Sequence, residues 1–306
     1  MKRLLIIGCG DVVRRALPQL LRRWRVYALV RQRDPALAAL GVTQLRGDLD
    51  CPATLTRLGG IAHAVLHSAP PPEHGELDTR TRQLIAALRR RESLPRRLTY
   101  ISTSGVYGDC GGAHVDETRT PAPITARARR RVDAERCLRR FGRQSGCRVS
   151  ILRAPGIYAA DRMPLERLRQ GLPLLRADED VYTNHIHADD LARICVASLN
   201  RAPPQRVYNA VDDASLPAGV WFDKLADAFD LPHAPRVTRA ELEKILSPMQ
   251  LSFMAESRRL DNTRLKRELL PTLRYPTVDA GIAAAMTQQS PRDSVSSPRP
   301  VREGPG

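Results

Sequence analysis

The stretch RLLIIGCGDVV, residues 3–13, decides the fold. Its apolar run, Leu4 to Ile7, is short and stopped by glycine, which reads as a buried strand. Gly8 and Gly10 then take the first two places of a GxGxxG turn, with Val13 in the third, and a helix begins near Asp11. The first glycine permits a tight turn, the second lets backbone approach a pyrophosphate, and the helix aims its amides and dipole at the anion. The third glycine normally serves helix-to-strand packing, so Val13 implies slightly wider spacing rather than lost binding. Asp11 reads as a carboxylate stabilising the helix N-terminus. Gly8, Gly10, Asp11 and Val12 are the first candidate dinucleotide contacts.

Outward from this turn, apolar runs rich in β-branched residues alternate with helical patterns. The runs are RVYALV (25–30), VTQL (42–45), HAVLHSA (63–69), RLTYIST (97–103), RVSILR (148–153) and RVYNAV (206–211), with helical segments near 11–23, 76–92 and 127–145. Such alternation is the signature of a parallel sheet covered on both faces, an α/β Rossmann-type doubly wound fold. From Leu216 the pattern turns mostly helical, in LPAGVWFDKLADAFDL and LDNTRLKRELL. The expected organisation is a nucleotide-binding domain over 1–158, rejoined by 181–213. A smaller, mostly helical substrate lobe takes 159–180 and 214–287. The tail 288–306, rich in Pro, Ser, Gly and Arg, is expected to be disordered.

The 306 residues carry a formal charge of +16. Of the 49 basic residues only Lys2, Lys224, Lys244 and Lys266 are lysine; the arginines spread over nearly every predicted helix rather than forming one tract. With aromatics at only 4%, a stacking platform for single strands is not built, and nucleic acid is not the expected partner. Cys9, Cys51, Cys110, Cys137, Cys147 and Cys195 form no CxxC pair and no Cys/His cluster, so reduced thiols in a cytoplasmic protein and no metal site are expected. The apolar start is too short for a signal peptide, and no stretch is long and apolar enough to span a membrane.

The second strand ends in Val30-Arg31-Gln32-Arg33, where an acidic residue would hold the ribose of NAD. A carboxylate there would repel a 2′-phosphate, whereas an arginine fork binds it through charge-assisted hydrogen bonds. Arg31 therefore favours NADP. Asp34 could serve NAD instead, but its place before Pro35 fits a helix N-cap followed by proline at the first helical position.

In order and spacing, GCGDVV, GDLD (47–50), HSAPP (67–71), YISTSGVYG (100–108), VDETRTP (115–121), LRAPGIY (152–158) and NHIHADDLA (184–192) make the chain resemble the extended short-chain dehydrogenase/reductases. The likeness is to the atypical sugar-nucleotide epimerase and dehydratase group and covers residues 1–287. The resemblance implies further cofactor contacts at Asp48, Leu49, Ser68, Ala69, Pro155 and Gly156. It also gives Thr103, four residues before Tyr107, the task of polarising the substrate oxygen.

The family then carries Tyr-x-x-x-Lys on its next helix, with a Glu four residues on. Anchoring on Glu135 puts the lysine position at Arg131 and the tyrosine position at Arg127. No lysine lies between Lys2 and Lys224, so no shift of alignment recovers the pair. A guanidinium with a pKa above about 12 cannot relay protons near neutral pH, but Arg131 could still donate to ribose hydroxyls. Helical spacing sets Arg127, Arg131, Ala134, Leu138 and Phe141 on one inward stripe. Two inward cations call for an anion: Glu135 or Asp133, or an anionic substrate clamped between Arg127 and Arg131. Tyr107, Tyr158, His185 and His187 are the alternative acid–base candidates.

Two functions compete on this reading. One is an NADP-dependent oxidoreductase or epimerase-like enzyme acting on a small polar or phosphorylated carbonyl or alcohol. The other is an NADP-binding sensor that has lost turnover. The family's habit of dimerising through the same helix would crowd Arg129, Arg130, Arg136, Arg139, Arg140 and Arg143 at a twofold axis, so a homodimer is the looser expectation.

Overall fold

The structure, a computed structural model, describes residues 1–247, 250–251 and 254–289, the side chains of 288 and 289 excepted. Its strands are β1 (Lys2–Ile7), β2 (Trp24–Val30), β3 (Thr43–Arg46), β4 (Ala64–His67), β5 (Arg97–Thr103), β6 (His114–Val115), β7 (Arg148–Ala154), β8 (Gly156–Tyr158), β9 (Leu174–Leu175), β10 (Tyr182–His187), β11 (Arg206–Asn209), β12 (Ser215–Pro217), β13 (Arg236–Val237) and β14 (Arg259–Leu260). Seven of them form one sheet in the order β11-β7-β5-β4-β1-β2-β3, every pair parallel. The order reverses beside β1, which opens a crevice at the carboxyl ends of β1 and β4.

Leu4, Leu5, Ile6 and Ile7 are each fully buried, as both faces of a central parallel strand must be. Helix α1 (Asp11–Leu21) covers one face, and the long helix Ala188–Arg201 packs beside it in the same core. The helices Thr79–Leu88 and Ala126–Ser145 cover the other face, through Leu84, Leu88, Ala134, Leu138 and Phe141. Each fully buried aliphatic side chain here contributes roughly 1.5–3 kcal/mol. Helix Ala126–Ser145 starts where Thr125 accepts from Ala128 N and stops at Gly146, whose φ of 70° ends it in the left-handed conformation.

A separate core gathers Leu165, Leu168, Leu174, Leu175, Trp221, Leu225, Leu242, Val278 and Ile282. Its small sheet, β8-β10-β12, links it to the large one. One part of the segment assigned to the lobe goes elsewhere: Leu265, Leu269 and Leu273 pack into the α1 core, and Glu268 binds Arg206 and Tyr208 of β11. The cause is the apolar spacing of that helix, which matches the open flank of β11. The helix Val278–Gln289 runs through the tail boundary expected at 288; residues 290–306 lie outside the described residues. Among the described residues, no helix is long and apolar enough to cross a membrane, and no group of His, Cys, Asp or Glu is placed to hold a metal.

Candidate nucleotide and substrate cleft

The glycine turn is shaped by close approach. Gly8 has φ +85°, and a Cβ there would lie 2.5 Å from the Ala69 nitrogen, so only glycine lets β1 and β4 close over one another. Ser68 donates to the Gly8 carbonyl and locks the two strand ends. Gly10 is the N-cap of α1, and a Cβ on it would meet nothing within 4 Å. Its open side leaves the first amides of α1 accessible to an anion. Val13 is buried in the core behind the turn, which accounts for its replacing the third glycine.

Asp11 would repel a pyrophosphate if left alone. It is neutralised by Arg15 Nε at 2.9 Å and Arg162 Nη1 at 3.0 Å. Arg15 also grips Asp161 at 2.7 Å and Asp189 at 3.0 Å. No local pattern signals this network, because its members are up to 174 positions apart.

From the turn a cavity of about 710 Å³ runs along the ends of β1, β2 and β3, lined by Gly8, Arg14, Arg31, Asp34, Asp48, Leu49, Ala69 and Arg80, among others. Asp34 accepts from Ala36 N and Leu37 N, the N-cap expected of it, and pairs with Arg14. The hydrogen bond from Arg14 holds its carboxyl below the usual carboxylate range. Asp50 takes both Nε and Nη2 of Arg80, at 2.8 and 2.6 Å. Exposed Arg31, by contrast, forms no ion pair among the described residues.

A second cavity, about 380 Å³, lies on the other side of the turn and is bordered by Gly10, Asp11, Val12, Ser68, Thr103, Arg127, Arg131, Pro155 and Arg162. It adjoins a third, about 200 Å³, lined by Thr103, Ser104, Gly105, Arg127, Pro155, Gly156, Tyr182, Asn184, Glu256 and Arg258. Thr103, Arg127 and Pro155 border both, so the three cavities trace one cleft across the carboxyl edge of the sheet.

The helix Ala126–Ser145 departs from expectation in three ways. Ala134, Leu138 and Phe141 are buried as predicted, but Arg131 is half-buried and Arg127 exposed. The stripe extends past the end of β5, so its first member overhangs the cleft instead of meeting the sheet. Arg131 Nη1 donates to the Tyr100 hydroxyl at 2.8 Å and the Ile101 carbonyl at 2.9 Å. Neither Glu135 nor Asp133 neutralises it. Glu135 instead accepts from Ser102 at 2.7 Å and forms a bidentate pair with Arg153 at 3.1 and 2.7 Å, both partners almost wholly buried. Asp133 binds Arg82 and Asp78 N. Arg130, placed on the surface by its spacing, is buried and donates to the Gly75 carbonyl at 2.6 Å. A buried arginine from β7 thus takes the glutamate, an arrangement invisible to spacing within the helix.

The phenols and imidazoles proposed as substitutes are closed off. Tyr107 donates to Asn209 at 2.7 Å under the Arg153 guanidinium, and burial pushes its pKa up to about 12. Tyr158 donates to the Thr277 carbonyl at 3.3 Å, and burial raises its pKa further. His185 is buried against Trp221, which brings its pKa down to about 4. His187 Nδ1 caps the helix Ala188–Arg201 by accepting from Asp189 N, and its ring stacks on Tyr275. Asp190, in the first turn of that helix, is buried and accepts from Arg274 N and Tyr275 N. Thr103 Oγ accepts from Gly105 N at 3.2 Å and still borders the cleft.

Glu256, Arg258, Arg14, Arg80 and Arg162 are the cleft residues that sequence reasoning missed. Arg14 and Arg80 had a faint signal, since each lies in the first turn of a helix that follows a loop at the carboxyl edge of the sheet. Glu256 and Arg258 had none.

Comparison with known proteins agrees with this geometry. Residues 25–210 match the model of the NAD dependent epimerase/dehydratase family. A conserved protein of unknown function from Silicibacter pomeroyi is 30% identical, with a TM-score of 0.76 over 94% of this chain and 99% of that one. Two more distant structures share the fold. The Thermotoga maritima UDP-glucose 4-epimerase with UDP-glucose is 15% identical, with a TM-score of 0.73 over 93% of this chain and 97% of that one. The Bacillus cereus UDP-glucuronic acid 4-epimerase with NAD is 17% identical, with a TM-score of 0.71 over 94% and 99%. No curated protein matches the chain.

Proposed function

Since the chain belongs to the NAD-dependent epimerase/dehydratase family, we propose that it is an enzyme of this kind that takes NADP and exchanges hydride with a polar, sugar-like alcohol or carbonyl. The observation that carries the cofactor choice is Arg31. It stands at the end of β2 with no ion pair among the described residues, while the neighbouring Arg14 and Arg80 are held by Asp34 and Asp50. Such a guanidinium suits a 2′-phosphate. Asp34, already capping a helix and paired with Arg14, is poorly placed to receive ribose hydroxyls as well.

The residues present fit a dinucleotide. Gly10 leaves room where a side chain would block a pyrophosphate, and Arg15 and Arg162 quench Asp11 at the helix entrance. Asp48 and Leu49 would flank the adenine end, Ser68, Ala69, Pro155 and Gly156 the rest of the bound molecule. Arg131, bordering the middle cavity, would donate to the ribose beside the nicotinamide. When bound, the dinucleotide supplies the hydride chemistry. Thr103 would orient the reacting oxygen, and Arg127 at the cleft mouth would attract an anionic group such as the phosphates of a sugar nucleotide, the ligand class seen in the Thermotoga maritima neighbour.

Fluorescence titration tests the reading. NADPH is expected to bind at least tenfold more tightly than NADH, and Arg31→Ala to erase that difference, about 1.4 kcal/mol. Equal affinities in the wild type would remove NADP from the account. The sensor reading is favoured by the burial of all four substitute phenols and imidazoles. NADPH binding with no oxidation across a panel of carbonyl substrates would decide for it.

A further inference from the structure

Among the described residues, no lysine or histidine lines the cleft, and its arginines cannot relay protons. We propose that Thr103, Gly105 and Glu256 form a hydroxyl-binding subsite, in which Glu256 takes the proton of a sugar hydroxyl as its carbon is oxidised.

The geometry converges on Gly105. A methyl group placed there would sit 3.6 Å from Thr103 Oγ1 and 3.8 Å from Glu256 Oε2, with the Thr103 methyl at 3.7 Å. The two oxygens therefore face the same bare patch of backbone, across a gap that suits one bound oxygen. Glu256 is aimed by Arg258, whose Nη1 holds Oε2 at 2.7 Å and is itself fixed to the Gly108 carbonyl at 2.8 Å. Among the described residues Oε1 accepts no hydrogen bond. Of the rival groups, Asp11 is bound by two arginines. Tyr182 also lines this cavity, its ring under the Arg259 guanidinium and against Gly112, and its role is separated from that of Glu256 by the Tyr182→Phe variant.

A secondary alcohol bound in this gap would accept from Thr103 and donate to Glu256. Thr103 would hold the hydroxyl while its proton passes to Glu256; the C–H hydride would go to an oxidised nicotinamide dinucleotide bound in the cleft, and the C–O bond would become a carbonyl. The products are a ketone, the reduced dinucleotide and a neutral carboxylic acid, and reversal of the step accounts for reduction.

The inference rests on the cofactor reading, so NADPH titration of the wild-type chain comes first; failure there sinks that reading whatever Glu256 does. Calorimetric titration of the NADP-loaded chain with UDP-glucose and with UDP-glucuronic acid then follows, alongside absorbance at 340 nm. Gly105→Ala keeps every charge and fills the gap at ordinary contact distances, so at least tenfold weaker sugar-nucleotide binding with unchanged NADPH affinity is expected. Glu256→Gln should slow NADPH formation at least a hundredfold, leave KM within threefold and abolish the acidic limb of the kcat/KM profile. Tyr182→Phe should change the rate by less than threefold. Equal binding by wild type and Gly105→Ala overturns the subsite. No wild-type turnover, an unaltered rate in Glu256→Gln, or a collapse in Tyr182→Phe overturns the proton transfer.

Discussion

The two walls of the cleft are built by different means. On the nucleotide side, Gly8 and Gly10 give the shape, and function depends on backbone that no side chain obstructs. On the side of the helix Ala126–Ser145, buried charge holds the wall: Arg153, Glu135 and Ser102 form one bonded unit, and Arg131 hangs from Tyr100 and Ile101. The first wall tolerates little change in geometry. The second tolerates little change in charge.

Three substitutions test that contrast. The largest loss is expected from Arg153→Ala, which leaves Glu135 in the core with Ser102 as its hydrogen-bond donor and the Arg139 guanidinium 3.7 Å away, at a cost of about 3 kcal/mol. Urea unfolding measures it, and a loss below about 1 kcal/mol would mean the charged wall is not held as described. Gly8→Ala comes next. Strain at positive φ costs about 1–3 kcal/mol, and the overlap with Ala69 must also be relieved by parting β1 from β4. Here NADPH affinity should fall along with the urea midpoint. A variant that keeps full affinity would show that the turn is less exacting than its contacts imply.

The smallest effect belongs to Asp212, beyond the end of β11. Burial pushes its pKa up to about 8, against about 3.9 in an unfolded chain. The folded protein thus keeps a proton that the unfolded chain releases, so this residue's contribution to stability falls as pH rises from about 4 to about 8. Asp212→Asn removes the dependence. Its advantage over wild type in urea should widen by about 1–3 kcal/mol between pH 5 and pH 8, and a constant difference would place the charge in water instead. His67, brought down to about 3 by burial and by Arg131, works in the opposite sense over part of this window. Comparison with the single variant is therefore needed, rather than the wild-type curve alone.

The contrast also explains what could be read from the chain. The strands of the parallel sheet, the glycine turn and the Asp34 cap were legible because each depends on residues close in sequence: an apolar run, a glycine where φ is positive, a carboxylate before proline. That arginines stand at positions 127 and 131 was legible as well, being a matter of residue type. The partners of the arginines were not. Glu135 meets Arg153, 18 positions on, and Asp11 meets Arg162, 151 positions on. Which cation reaches which carboxylate is decided by how layers stack, and helical periodicity could not tell that Arg127 would overhang the cleft.

The threefold grip of Arg15 has a mechanical corollary. Asp11 and Asp189 begin helices that flank the sheet, whereas Asp161 lies on the segment leading from it into the lobe. One guanidinium therefore acts as a clasp between the two halves. Its outermost partner, Asp161, is 68% solvent-exposed, and such a pair is screened by dissolved ions. Rising ionic strength should therefore loosen this outermost contact before the inner two.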